Sequence, residues 1–184
     1  MFDIDSISPP VYVPELPLDL GVDPLLLKAV IHGTDIGLRM THAKLVPVGT
    51  SRMTTSRHGM TVMVGLAGRC SGNVALNLSD AAALHLAGGL MGNQPTRVDE
   101  ECIDAIMELG NMVAGGVKRV LADSNRSVDN ISLPSLVIGH SYSMGFARGI
   151  SVVSVEFELP EMPFFAMNAR YISTTLSLLR TSGA

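Results

Sequence analysis

The sequence is short of charge and of large aromatic side chains. Charged residues make up 16% of its 184 residues, against about 25% in typical soluble domains, and it has no tryptophan. The net charge is −4 and no basic run occurs, so nothing predicts a nucleic-acid interface. A mildly acidic surface permits a protein partner with basic features. Because 47% of the residues are apolar, an oligomer is also indicated.

Several classes of site and segment are missing as well. The two cysteines, Cys70 and Cys102, form no CxxC pair and are expected to be reduced and structural. The five histidines show no metal-ligand spacing, so we predict no metal site. No apolar run reaches the roughly 18 residues of a membrane span, and the first basic residue is Lys28, which argues against a secretory signal. These observations predict a cytoplasmic protein.

The chain divides into a short arm and one domain. Residues 1–22 contain four prolines and predict an extended arm, whereas residues 23–184 predict a single domain. Capping residues and apolar periodicity predict helices over 24–40, 80–91 and 100–122. Strands are predicted over 44–49, 60–67, 72–78, 131–138, 149–159 and 164–168. Residues 171–179 are expected to form a short helix or a tail. The fold class is therefore α+β (mixed α/β), about six strands packed by two long helices and a shorter one.

The helix predicted from Glu100 is strongly two-sided. At 100° per residue, one face carries a stripe typical of a buried core: Ile103, Ile106, Gly110, Val113, Val117 and Val120. Asp104, Glu108, Asn111 and Gly115 lie on the opposite face. By itself such a polar face is what any solvated surface helix shows, so periodicity alone assigns it no chemistry.

The spacing of this polar face extends to a distant proline. Asp104 precedes Glu108 by four residues, Asn111 follows by three, and twenty-two residues separate Asn111 from Pro134. The pattern Asp/Ser-x3-Glu-x2-Asn-x22-Pro resembles that of the CheC/CheX/FliY phosphatases of bacterial chemotaxis. The surrounding Glu-Leu-Gly-Asn-Met-Val-Ala-Gly-Gly-Val-Lys is similar to their catalytic helix. The likeness is strongest over residues 99–160 and leaves the proline-rich start and the last dozen residues uncovered.

The resemblance implies a function for each motif residue. The substrate would be the phosphoaspartate of a CheY-like receiver domain. Glu108 would pair with the receiver's active-site lysine, and Asn111 would orient a water for in-line attack on phosphorus. Asp104 would support the helix face and Pro134 would shape the neighbouring strand. Mg²⁺ would belong to the receiver, with no cofactor on this chain.

Residues beside the motif are candidates for a contact rim. Met107 and Met112 flank it on the helix, and Gly115 follows it by one turn. Methionines are also ordinary core fillers, and Gly115 and Gly116 equally suit close helix packing. These alternatives remain open at the level of sequence.

The first helix bears on the number of sites. Members with two sites carry a second Glu-x2-Asn there, whereas this sequence has His32 and Asp35 at the comparable positions. We therefore predict one site per chain and, as in CheX-type members, a homodimer. Two other functions remain possible: a non-catalytic adaptor that binds a receiver or a flagellar-switch component through the same helix, and a structural dimerisation domain.

Overall fold

The computed structural model describes residues 21–52, 55–56, 59–139, 142–163 and 169–179. Residues 1–20 of the arm predicted over 1–22 lie outside these ranges, as does the predicted strand over 164–168. Within them the order of elements is α1 (Pro24–Leu38), a 3-10 turn (Arg39–Thr41), β1 (Val46–Ser51), β2 (Thr55–Ser56), β3 (Met60–Gly68), β4 (Gly72–Leu78), α2 (Asp80–Met91), α3 (Glu100–Leu121), β5 (Val128–Ile131), β6 (Ser135–Ile138), β7 (Tyr142–Ser143), β8 (Ile150–Glu158) and β9 (Tyr171–Leu179).

One antiparallel sheet carries the helices on one of its faces. The strand order is β1-β8-β9-β4-β3-β5, and β6 pairs with β3 beyond the end of β5. The short strands β2 and β7 form a separate ribbon. Residues Val62, Val64 and Leu76 alternate toward the helices and are buried. The α+β expectation is confirmed, with nine strands in the described residues where about six were predicted.

The segment Tyr171–Leu179 is a strand, so the expectation of a short helix or tail is wrong. β9 lies inside the sheet, between β8 and β4. Its Ile172 and Leu176 belong to the core, while Thr175 on the other face is also buried and donates to Ser154 Oγ at 2.9 Å. Because this strand buries hydroxyls as well as aliphatic side chains, its apolar pattern looks weak, and only the period of two indicates a strand.

Helix starts follow the local sequence closely. Asp23 accepts hydrogen bonds from the backbone N–H groups of Leu25 (3.0 Å) and Leu26 (3.3 Å). Ser79 caps α2, and Asp99 caps α3 by accepting from Cys102 N at 3.1 Å. Each such cap contributes about 1 kcal/mol, so these three sites define where the helices begin. The predicted helix starts are confirmed.

α1 and α3 run antiparallel and touch at their backbones. A Cβ built at Gly33 would lie 2.7 Å from the backbone nitrogen of Val117, and one at Gly37 would meet the Cα of Val113. Asp23 and Arg126 close the same helix pair at its other end with a 2.6 Å ion pair. The two glycines, which lower helix propensity, therefore permit the close crossing of α1 and α3.

β5 and β6 form one edge of the sheet, interrupted by a bulge. Between the pairs Leu66–Ile131 and Met63–Ser135 the edge chain advances four residues while β3 advances three. The extra residue falls where Pro134, which has no N–H to donate, precedes β6. The predicted strand over 131–138 is thus two strands, and Pro134 directly precedes the second of them at the edge of the sheet.

Candidate functional site

α3 is held rigidly by its inner face. Of the predicted core stripe, Ile106, Gly110, Val113 and Val117 are buried, whereas Ile103 and Val120 are half-buried. Gly110 lies so close to β3 that a Cβ there would meet the side chain of Val62. The helix spans 22 residues with a capped start and with acids in its first turn and bases in its last, which suits the helix dipole.

The outer face of α3 presents the acidic pair. Asp104 and Glu108 are exposed. Neither makes an ion pair with any residue in the described ranges. Two like charges at i and i+4 disfavour a helix by about 0.2–0.5 kcal/mol. The pair therefore does not stabilise the described fold, and Glu108 remains available to a cation of a partner molecule.

Asn111 lies at the border between surface and interior. The residue is half-buried, and its Oδ1 is enclosed without a hydrogen-bond donor among the described residues. A buried acceptor left without a donor typically costs about 1–3 kcal/mol. The Oδ1 acceptor thus has hydrogen-bonding capacity that the described part of the chain does not use.

The flank of α3 that carries Asn111 faces the β5–β6 edge. Lys118, seven residues further along the helix and so on the same side, donates from Nζ to the carbonyl oxygen of Asp129 in β5 at 2.6 Å. Val62, against which Gly110 packs, pairs with Leu136 in β6. These contacts show that this flank of α3 lies over β3 and reaches β5, on the side of the sheet whose edge contains the bulge at Pro134.

The predicted rim residues have different surroundings. Met107 and Met112 are both half-buried, and Met112 packs against the core on the side nearer α1. Gly116 is in backbone contact with Gly33, whereas a Cβ at Gly115 would meet nothing within 4 Å. Close packing therefore explains Gly116 and leaves Gly115 as a candidate for the rim.

α1 offers no copy of this arrangement. His32 and Asp35 are exposed, and Asp35 forms a 3.5 Å ion pair with Arg39. An imidazole and a paired carboxylate stand where a two-site member has a free glutamate and an amide. The geometry is that of an ordinary surface helix.

Other reactive groups lie away from this face. Both cysteines are buried and free. Burial raises the pKa of the Cys102 thiol, and the nearby Asp99 carboxylate raises it further, so the thiol stays neutral near pH 7. Within the described ranges no group of three or more His, Cys, Asp or Glu could hold a metal ion. No helix in those ranges is both long and apolar enough to span a membrane.

The stretch from β3 to β8, which holds α3 and the bulge, matches a known family. The sequence model of the family described as chemotaxis phosphatase CheX matches residues 60–158, or 99 of 184 residues. The chain belongs to the CheX family. The resemblance to this family is thereby confirmed, and Asp104, Glu108, Asn111 and Pro134 lie within the matched range.

Relatives of known sequence and structure agree with the CheX assignment. The chain is 31% identical over 105 residues to the CheY-P phosphatase CheX of Thermotoga maritima, covering 54% of this chain and 67% of that protein. A CheC-like superfamily protein of Shewanella matches in structure with a TM-score of 0.69 and 17% identity, covering 86% of this chain and 100% of that one.

A CheX complex is also similar in structure. The CheX-CheY-BeF3-Mg²⁺ complex of Borrelia burgdorferi matches with a TM-score of 0.60 and 20% identity, over 84% of this chain and 98% of that one. At such identities the two structural likenesses concern the fold. They show that the sheet and helices of this chain have the CheC/CheX arrangement.

Two features of the site escape sequence reasoning. The bulge at Pro134 arises from the register of β5 and β6 with β3, which the sequence does not display. Leu133, next to that proline, is 87% exposed although the segment reads as an apolar strand. The one available signal was the proline itself, because a strand that contains proline is an edge or is interrupted.

Proposed function

We propose that this CheX family member hydrolyses the phosphoaspartate of a CheY-like receiver domain and so terminates a signal in chemotaxis or a related two-component pathway. The observation that carries the proposal is geometric: on one helix the exposed Glu108 precedes the half-buried Asn111 by a turn, and neither the Glu108 carboxylate nor the Asn111 Oδ1 has an ion-pair or hydrogen-bond partner among the described residues. The curated relative at 31% identity is named a CheY-P phosphatase, which supports the same substrate.

Glu108 is the docking charge in this proposal. Its carboxylate has no cation near it in the described part of the chain, and an active-site lysine of the receiver would supply one. A hydrogen bond between charged groups contributes roughly 1.5–3 kcal/mol when the partners are desolvated together. This pairing would place Asn111, three residues on, over the phosphoryl group.

Asn111 positions the attacking water. The water oxygen forms a bond to phosphorus in line with the bond to the aspartyl oxygen, which breaks. The products are inorganic phosphate and the free aspartate, and the water's proton passes to phosphate or solvent. Because the aspartyl carboxylate is a good leaving group, positioning is the main task, and it can be worth about 10²-fold or more. A neutral amide both donates and accepts, so it holds water without repelling the phosphoryl oxygens.

The remaining motif residues act at a distance in this scheme. Asp104 keeps the outer face of α3 acidic beside Glu108, and Pro134 shapes the bulge that flanks Asn111. Met107 and Met112 contribute half-buried, adaptable apolar surface at the rim of the contact. Mg²⁺ belongs to the receiver, in keeping with the Mg²⁺ of the Borrelia CheX-CheY-BeF3 complex, and no metal ligand is assigned to this chain.

Assembly and location are part of the proposal. The low charge content and the family resemblance support a homodimer in the cytoplasm, where phosphorylated receivers reside. Light scattering of the purified chain measures the oligomeric state, and subcellular fractionation determines the location. A monomer at micromolar concentration would remove the dimer from the scheme without affecting the site.

Asn111→Ala tests the catalytic assignment. We expect stimulated dephosphorylation to fall about 10²-fold because the water is no longer oriented. The measurement is loss of phosphate from each CheY-like receiver of the source organism, charged with acetyl phosphate and Mg²⁺. The exposed Asn93, beyond the end of α2, provides the matched control Asn93→Ala. If the wild-type chain binds the phosphorylated receiver without accelerating hydrolysis, the adaptor function replaces the phosphatase.

A further inference from the structure

No packing contact in the described fold explains why position 115 is a glycine. A glycine inside a helix costs about 1 kcal/mol relative to alanine. At Gly33, Gly37, Gly110 and Gly116 a Cβ would lie within 3 Å of a neighbouring element, which explains why each lacks a side chain. At Gly115 it would meet nothing within 4 Å. A glycine on an outer helix face instead permits another chain to approach the helix backbone closely.

Leu133 is exposed on an ordered part of the chain. The bulge that carries it is held by Ser132, whose backbone N–H donates to the Gly65 carbonyl at 2.9 Å. The Ser132 hydroxyl accepts from Gly65 N at 2.8 Å and donates to the Leu133 carbonyl at 2.8 Å. Leu136, three residues on, packs against the core, whereas Leu133 is 87% exposed. A single exposed leucine is common, so exposure alone does not indicate a contact site, and the position of Leu133 must be considered.

That position is on the edge of the sheet toward which the flank of α3 with Lys118 turns. Ser132 is bonded to Gly65, and Leu136 pairs with Val62, so Leu133 lies opposite the middle of β3. Gly110 packs on Val62 and Lys118 reaches β5, which puts the helix turn between them alongside the bulge. Gly115 lies on that turn. The open glycine and the exposed leucine therefore border one continuous surface that includes Asn111.

We propose that the phosphorylated receiver docks across this whole surface, with Gly115 and Leu133 as its specificity-determining residues. This inference rests on the proposed function. Gly115 admits the receiver's main chain against α3, and Leu133 provides an apolar contact at the edge of the sheet. The partner is identified as the receiver because the surface is continuous with Glu108 and Asn111. A receiver whose lysine contacts Glu108 and whose phosphoryl group contacts Asn111 would also cover the surface between these residues and the bulge.

Two variants with matched controls test the proposal in the full-length chain. Leu133→Asp removes the apolar contact, and Gly115→Leu fills the space over the helix. Val48→Asp is the control for Leu133→Asp, because Val48 is 47% exposed at an irregularity of β1 on the opposite edge of the sheet. Arg119→Leu is the control for Gly115→Leu, because Arg119 is exposed one turn beyond Gly115. Far-ultraviolet circular dichroism and melting temperature check that all four variants fold.

The readouts are KM and kcat for dephosphorylation, and the Kd for the receiver loaded with beryllofluoride and Mg²⁺. We expect Leu133→Asp and Gly115→Leu each to raise KM and Kd by about tenfold or more, with kcat at saturation within about twofold of wild type, since such contacts provide binding and not chemistry. The two controls should change neither constant by more than about twofold. Gly115→Ala should melt at or above the wild-type temperature because alanine favours the helix.

Each adverse result has a distinct meaning. Unchanged KM and Kd in both variants would overturn the docking surface while leaving the assignment of Asn111 intact. A change of oligomeric state in Leu133→Asp, seen by light scattering, would assign the bulge to a second copy of the chain instead. If wild type binds the loaded receiver but does not hydrolyse the phosphate, the proposed function fails, and the Kd values of the variants still decide the docking surface.

Discussion

Neighbouring glycines on α3 differ in what surrounds them. Gly116 faces α1, where the carbonyl of Gly33 occupies the space that a side chain would need. Gly115, 100° around the helix, borders open space on the face that carries Glu108 and Asn111. One face of the helix is therefore explained entirely by packing, whereas the other contains residues that packing does not require. The comparison predicts that changes on the inner face alter stability and changes on the outer face alter activity.

The largest change in stability is expected from a substitution at the inner, packed face of the helix pair. Gly37→Ala drives a Cβ into the backbone of Val113, so α1 and α3 must separate. We expect a loss of roughly 1–3 kcal/mol of unfolding free energy, measured by urea denaturation, with kcat per folded molecule unchanged. Equal stability of variant and wild type would show that the two helices do not cross as closely as the structure has them.

A smaller effect is expected at the docking charge. Glu108→Gln keeps the size of the side chain and removes its charge, so the proposed pairing with the receiver lysine weakens. We expect KM to rise about tenfold, with the melting temperature unchanged or slightly higher, since this carboxylate makes no ion pair with the described residues and so adds no stability. The exposed Glu101, two turns earlier, offers Glu101→Gln as a control. A drop in stability with KM unchanged would reverse the roles of the two faces.

The smallest effect concerns the like-charge pair. Asp104→Asn removes the repulsion between Asp104 and Glu108 and should raise unfolding free energy by about 0.2–0.5 kcal/mol. Thermal melting at low and high salt checks it, because salt screens the repulsion and should shrink the gain. Destabilisation instead would mean that Asp104 has a structural role, and the outer face would no longer be free of packing demands.

Sequence patterns account for much of the fold and for the identity of the site residues. Caps at Asp23, Ser79 and Asp99, together with a period of 3.6, locate the three helices because these are interactions within a few residues of chain. The pattern over Tyr171–Leu179 does not predict β9, for the opposite reason. A strand that is buried on both faces and carries hydroxyls depends on pairing with β8 and β4, which lie elsewhere in the sequence.

The sequence alone determined the order of polar groups on α3, since helix geometry converts spacings of three and four into a shared face for Asp104, Glu108 and Asn111. It also determined the likeness to the CheX family. Only the tertiary structure decided that Glu108 is exposed while Asn111 is half-buried, that Gly116 packs against α1 while Gly115 does not, and that the flank of α3 with Lys118 faces the edge of the sheet that contains the bulge. These relations depend on the register of β6 with β3 and on the contact of Gly110 with Val62, and spacing along one chain does not encode contacts between distant segments.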